Sequence, residues 1–381
     1  MPRLFVGNFD FEHELADGPG ARGGTVDAVQ ASLAAAWLAV ANPDDWVLCE
    51  SAFPPQLLDG RLPRCVRSFD EAPDGPEIEL VPWGWTRRLQ ELARSRGWRA
   101  AAPPIESVRL ANSRLFRAEL EAKLGLTLER AAVIHSEDEL RSQIAQMSTG
   151  ERWVLKAAFG MAGRERLAGC GPLLPEPTLN WCRRRLSKHG GIVFEPWLER
   201  VAEAGVQMDV PCSGEPRLVG ITPLLSTPGG GYRGSRLVAD GELDEWQEAI
   251  PVALAVGREL QAIGYFGPVG IDAMRYAHPS GEIRLRCLQD LNARWTMGRL
   301  ALGWKPQFRG GESGVWLHGR WAAEQVGAFA ARREVRQIDD GIRVLPTAYA
   351  ADPEIVTAVL LCAETPGSLS HAEEDWLGQM V

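Results

Sequence analysis

The spacing of apolar and polar positions changes period several times along the chain. Residues 3–9 ("RLFVGNF") form a short apolar run, 25–41 ("TVDAVQASLAAAWLAVA") carry helical Ala/Leu spacing, and 45–50 ("DWVLCE") return to a strand that closes on Glu50. After a proline-rich stretch, 77–85 ("EIELVPWGW") and 86–98 ("TRRLQELARSRGW") read as strand and helix. This alternation predicts a small α/β domain with a parallel sheet.

From residue 101 the order is different. "AAPPIESV" (101–108) reads as a linker, 112–126 as a helix, 127–134 as a strand, and 136–147 as a helix opened by the capping-box pair Ser136 and Glu139. "RWVLKAAFGMAG" (152–163) is a strand running into a glycine-containing turn. There follow a helix (177–188), strands at 191–198, 205–212 and 217–225, and a glycine-rich loop (226–236). A helix over 242–263, interrupted by Pro251, leads to paired strands at 269–276 and 282–292. Hairpins outnumber βαβ units, which predicts an α+β body. Two more strand-like runs, 341–349 and 357–365, close the chain and carry too many apolar residues to stand in water. The boundaries expected are 1–105 for the α/β domain, 106–190 and 191–330 for the body, and 331–381 for a tail packed on it.

Composition narrows the function classes. Of 381 residues, 45% are hydrophobic and 24% charged, as in ordinary globular proteins, and the net charge of −9 offers nucleic acid no general attraction. No apolar stretch approaches membrane-spanning length, and the N-terminus lacks the pattern of a signal peptide, so a cytoplasmic protein without membrane partners is expected. Seven scattered cysteines, without CxxC or zinc spacing, read as reduced.

Four separated pieces carry candidate chemistry. Lys156 ends an apolar strand ahead of Gly160 and Gly163, where a lysine and glycine N–H groups can approach phosphate together; the alternative is a solvated surface lysine. In "VFEPWLERVAEAGV", Glu195 ends a strand, the backbone of 196–198 can face a flat purine, and Glu203 can hold sugar hydroxyls; the alternative is two exposed glutamates around a turn. Asp272, in "GIDAM", lies on a strand that should pair with the strand of Asp290. Asp290, Asn292 and Arg294 alternate in "LQDLNAR", which puts them on one strand face. Carboxylate and amide oxygens suit Mg²⁺, and an arginine fork suits a phosphate oxygen.

In this order, the four pieces resemble the ATP-grasp superfamily of carboxylate–amine ligases over about residues 1–325. The resemblance implies an α/β and α+β architecture: two α+β subdomains clasping ATP, preceded by a small parallel-sheet pre-ATP-grasp domain. It implies that Lys156 contacts ATP phosphates under a lid at Gly160 and Gly163, that the Trp197 and Leu198 backbone meets adenine, and that Glu195 sits near the N6 amine. Glu203 would hold ribose. Asp290 and Asn292, with Asp272, would hold Mg²⁺ (or Mn²⁺), and Arg294 would contact phosphate or the acyl-phosphate. Small-molecule carboxylate and amine substrates follow, and a homodimer by analogy.

Departures from the family pattern are visible. Arg114 stands where many relatives have lysine, and Asp290 replaces the usual glutamate. No arginine precedes the Asp272 strand, so Arg233 or Arg236 is expected to replace it or to bind the substrate carboxylate. The acidic run Asp10–Glu14 follows the first strand, where α/β clefts open, and reads either as a solvated loop or as a group that recognises an ammonium or closes on the ATP domain. Two other classes remain: an ATP-binding regulatory or scaffold protein, and an ATP-grasp phosphotransferase.

Overall fold

The computed structural model describes residues 1–18, 33–50, 52–54, 57–160, 165–227, 229–238, 240–327, 342–350 and 352–380. Strands β1 (Arg3–Val6), β2 (Trp46–Leu48), β3 (Arg64–Val66) and β4 (Glu79–Pro82) form a wholly parallel sheet in the order β3-β2-β1-β4. Its central strand is apolar on both faces, as a covered parallel sheet requires. Leu4 and Val6 pack on Leu89 and Ala93 of α2 (Arg87–Arg96), whereas Phe5 joins the main core of the molecule.

Local expectations were met unevenly. Residues 25–32 of the helix expected over 25–41 lie outside the described residues, and Ala34–Ala39 form a buried 3-10 helix around Trp37. Cys49 and Cys65, expected reduced, are joined in a disulfide, because β2 and β3 pair in parallel and bring Val47 opposite Cys65. Cys170, Cys182, Cys212, Cys287 and Cys362 are free. Among the described residues no helix is long and apolar enough to cross a membrane.

The second sheet holds β5 (Ala132–Ile134), β6 (Arg152–Ala157), β7 (Arg166–Cys170) and β8 (Ile192–Pro196) in the antiparallel order β5-β8-β6-β7. Helix α5 (Glu137–Ala145) starts as expected, with the Ser136 hydroxyl accepting from the Glu139 N–H at 3.2 Å. Together with α6 (Glu176–His189) it buries Trp153 and Leu155 of β6 and Ile192 and Phe194 of β8. Strand alternation then turns Lys156 and Glu195 to the opposite face, where α4 (Arg114–Lys123) lies beyond the short α3 (Ile105–Ala111).

The third sheet has eight antiparallel strands in the order β13-β12-β9-β10-β11-β14-β16-β15. These are β9 (Glu199–Val210), β10 (Arg217–Ser226), β11 (Tyr232–Leu237), β12 (Gly267–Ala277), β13 (Ile283–Asn292), β14 (Ser313–Ala322), β15 (Arg343–Tyr349) and β16 (Ile355–Ala363). Strand β11 falls mostly within the glycine-rich run 226–236 expected as a loop, and β14 lies in a stretch for which no element is expected. Glycine fits tightly inside β14: a Cβ on Gly314 would stand 2.9 Å from the Leu361 carbonyl oxygen and 2.5 Å from the Phe308 ring. Helix α7 (Ala249–Ala262) starts only two residues before Pro251, within the first turn, where a missing N–H has no helical partner to lose. It packs on β9 and β13, while α8 (Met297–Leu302) follows β13 and α9 (Pro366–Gly378) covers β16 and β14.

Candidate active site

The outer strands of the large sheet bring the first cluster together. Asp272 on β12 stands directly opposite Asp290 on β13, and Met274 stands opposite Glu203 on β9, so three carboxylates share one region of the sheet. Burial first, then the nearby charges of Asp290 and Glu203, pushes the Asp272 carboxyl up to about 7. Burial also acts on Asp290, but Arg114, Lys156 and Arg117 outweigh it and hold that carboxyl below its usual range. Asn292 Nδ2 donates to Asp272 at 3.3 Å and its Oδ1 accepts from Arg294 at 2.9 Å. Arg294 also donates from Nε to Glu12 at 2.7 Å, so helix α1 (Phe11–Asp17) is tied to the end of β13.

The second cluster is a buried charge network. Lys156, 7% exposed, lies 2.8 Å from Glu195, which is 2% exposed. Glu195 Oε1 also accepts from Arg117 at 2.6 Å and from Arg286 at 2.7 Å, and its Oε2 accepts from Arg286 at 2.9 Å. Arg117 and Arg286 share a second carboxylate, Glu121, and Arg286 reaches Gln289 at 2.5 Å. Helix α4, β6, β8 and β13 are thereby pinned together. Three cations face two carboxylates, an excess of one positive charge. Burial lowers the Lys156 ammonium to about 8, with Glu195 opposing that shift. Burial disfavours charge on Glu195 as well, yet Arg286, Lys156 and Arg117 hold its carboxyl well below the carboxylate range.

Arg114 adjoins both clusters. Its guanidinium donates to the Ala157 and Gly160 carbonyls at 3.2 and 3.0 Å and lies 3.7 Å from Asp290. On β9, Glu203 Oε2 accepts from Arg200 at 2.8 Å and from Ser226 at 2.9 Å. The Trp197 N–H donates to the Arg152 carbonyl at 2.9 Å, and the Arg152 guanidinium lies 4.0 Å from the Trp197 ring centre.

Three solved structures match this architecture almost from end to end. N5-carboxyaminoimidazole ribonucleotide synthetase from Thermus thermophilus is 14% identical, with a TM-score of 0.56 over 100% of this chain and 98% of its own. A biotin carboxylase–β,γ-ATP complex from Campylobacter jejuni is 12% identical, with a TM-score of 0.56 over 100% of this chain and 91% of its own. The biotin carboxylase domain of 2-oxoglutarate carboxylase from Hydrogenobacter thermophilus, a dimer with MgADP, ADP and bicarbonate, is 12% identical, with a TM-score of 0.52 over 96% of this chain and 86% of its own. The chain has the ATP-grasp fold. No protein-family model and no curated protein sequence matches it.

Lys156 and Arg114 lie beside Asp290, and Asp272, Asn292 and Arg294 are linked by hydrogen bonds. Three expectations need correction. Both oxygens of Glu195 are taken by Arg117, Arg286 and Lys156, so none is left for a purine amine. Arg236 is held by Glu373 of α9 at 2.6 and 2.9 Å, and Arg233 donates to the Met380 sulfur at 3.3 Å. Their strand, β11, is three strands from β12, about 14 Å at normal strand spacing, which removes both arginines from the carboxylate pair. Gly163 lies outside the described residues.

Sequence reasoning missed Arg117, Glu121 and Arg286, because an i,i+4 Arg/Glu pair on a helix ordinarily faces water. It also missed Asn112, whose side-chain amide accepts from the Ala293 N–H at 3.1 Å and donates to the Ala293 carbonyl at 3.2 Å. That clamp fixes the backbone between Asn292 and Arg294.

Among the described residues, no group of three or more His, Cys, Asp or Glu side chains is arranged to enclose a metal. The donor set still fits Mg²⁺, which keeps water and substrate phosphate as ligands and needs only one or two carboxylates. Burial raises Asp272 most, and the repulsion from Asp290 and Glu203 that adds to it is what a divalent cation would relieve.

Proposed function

We propose that the protein is an ADP-forming carboxylate–amine ligase that makes an amide or peptide bond through an acyl-phosphate. The observation that carries this reading is the juxtaposition of the Asp272/Asp290 pair with a buried network holding one surplus positive charge at Lys156. A nucleoside triphosphate supplies the anion that such a network lacks, and the carboxylate pair suits the cation that accompanies it.

The binding roles follow from free hydrogen-bonding groups. The Trp197 N–H is committed to Arg152, so its carbonyl and the Leu198 N–H are the groups for adenine. Both bonds at Glu203 fall on Oε2, leaving Oε1 for a ribose hydroxyl. Lys156 and Arg114 would meet phosphate oxygens, with Gly160 at the edge of the same turn. Asp272 and Asp290, with Asn292 beside them, would hold Mg²⁺ (or Mn²⁺), which supplies charge neutralisation at the transferring phosphoryl group.

A substrate carboxylate oxygen attacks the γ-phosphorus, the bond to the β–γ bridging oxygen breaks, and ADP departs. Lys156 and Arg294 bear on the charge of the phosphoryl oxygens. The amine nitrogen then attacks the acyl carbon, the carbon–oxygen bond to phosphate breaks, and phosphate leaves with the electron pair while nitrogen releases a proton. No protein nucleophile is needed.

The test is ADP release against a matrix of carboxylates and amines, with mass spectrometry of products. An amide product with stoichiometric ADP is expected. ATP binding without ADP release in any combination, or a phosphorylated product without incorporated amine, would reject the ligase reading.

A further inference from the structure

A cavity of about 260 Å³ opens between α1, the Phe159–Gly160 turn and the C-terminal half of α6. At its inner end is Glu12, which is 5% exposed. Its Oε1 accepts from Arg294, but its Oε2 is buried and has no hydrogen-bond partner among the described residues. Buried carboxylate oxygens are nearly always satisfied, because a bare one keeps its full desolvation penalty. His189 Nδ1 is a second buried polar atom on the same wall without a partner, its ring set 5.5 Å from the Phe159 ring.

Three cations also line the cavity, and two of them are neutralised there. Lys188 is paired with Asp17, and Arg185 with Glu165. Arg184 is exposed and, among the described residues, has neither an ion pair nor a hydrogen bond. An unsatisfied acceptor at the floor, a ring nitrogen on the wall and an uncommitted guanidinium at the rim define a complementary ligand: N–H donors at one end and an anion at the other. The volume lies below the roughly 300–1,000 Å³ of sites for drug-sized ligands, so the ligand is small.

We propose that this cavity is the amine-substrate site, and that it takes a small primary amine carrying an anionic group, the class to which free amino acids belong. The proposal rests on the ligase reading above and assigns that reaction its nucleophile. Glu12 Oε2 accepts from the ammonium, and Arg184 pairs with the anion. Because Arg294 bonds both Glu12 and Asn292, and Asn292 bonds Asp272, the amine is held one guanidinium and one side-chain amide away from the carboxylate pair.

The experiment is calorimetric titration of the full-length protein, with and without Mg²⁺ and a non-hydrolysable ATP analogue. The probes are free amino acids, their N-acetyl derivatives and the matching decarboxylated amines. At least one amino acid is expected to bind, with acetylation or decarboxylation each weakening binding about tenfold or more. Arg184→Ala is expected to weaken the amino acid to the level of its decarboxylated amine and leave that amine unchanged. Glu12→Gln is expected to abolish the preference for a free ammonium. Glu12 is buried, so its variant is open to a folding defect; Arg184 is exposed and its variant is not. Failure of every amino acid to bind, with or without nucleotide, or unchanged selectivity in Arg184→Ala, would overturn the assignment. Failure of the ATP analogue alone would count against the ligase reading and not against the cavity.

Discussion

Arg294 Nε lies 2.7 Å from Glu12 Oε1 while the same guanidinium reaches Asn292 Oδ1 at 2.9 Å. One planar fork therefore spans the N-terminal segment and the end of β13, a geometry that lysine cannot reproduce. Arg294→Lys is expected to lower kcat for ADP formation about 10–100-fold with little change in the KM for ATP. Arg294→Ala leaves Glu12 buried without its counter-charge, a loss of about 3–5 kcal/mol in unfolding free energy read from urea titration. A wild-type kcat in Arg294→Lys would remove this residue from the reaction.

The surplus charge at Lys156 makes an unusual mutational prediction. Lys156→Met leaves Arg117 and Arg286 facing Glu121 and Glu195, a balanced set, so Tm should hold or rise while nucleotide affinity falls at least about tenfold. Glu195→Ala does the reverse: it strands three cations on one carboxylate and should cost about 3–5 kcal/mol. Equal ATP affinity in Lys156→Met and wild type, by equilibrium titration, would show that phosphate binds elsewhere.

Two titrations bound the working pH. Asp272, raised to about 7, must lose its proton before it can hold a cation, so Mg²⁺-dependent nucleotide binding strengthens as pH rises through that value. Lys156, lowered to about 8, loses its charge above that pH, and binding weakens again. The expected profile is a bell with its maximum between the two. Asp272→Asn, weaker throughout, should lack the acid limb. In the metal-free protein, the folded state holds the Asp272 proton more tightly than the unfolded state. That contribution to stability is complete at low pH and is lost as pH rises toward about 7. A flat affinity profile across this range would contradict both assignments.

Asn112 offers a test of positioning without contact to substrate. Asn112→Ala removes two hydrogen bonds to Ala293, worth about 0.5–1.5 kcal/mol each, and should speed amide hydrogen exchange at 290–294 ahead of the rest of β13. ADP formation should fall with it. Unchanged exchange there would mean that the strand end is fixed by other contacts.

What could be read from the sequence followed periodicity. Lys156 alternates with the buried Trp153 and Leu155, and Asp272 sits on a strand whose hairpin partner carries Asp290, so residue parity alone put them on the right faces. Glu195 was different. Its environment is made by Arg117 of α4 and Arg286 of β13, each far from it in sequence, and nothing local distinguishes a glutamate at a purine from one locked among cations. Arg233 and Arg236 failed for a related reason: their partners, Met380 and Glu373, come from the far end of the chain. The pairing of Cys49 with Cys65 likewise depends on which short strands lie side by side, which spacing does not encode.

The 3-10 helix around Trp37 packs against both α8 and β15, the last strand of the eight-stranded sheet. During synthesis, Trp37 leaves the ribosome more than three hundred residues before the chain that covers it. At roughly 5–20 residues per second that interval is about 15–60 s, in which an apolar face waits for its other wall. The nascent chain is thus exposed to chaperones and proteases over that interval, and loss of β15 would leave the apolar face around Trp37 without that wall.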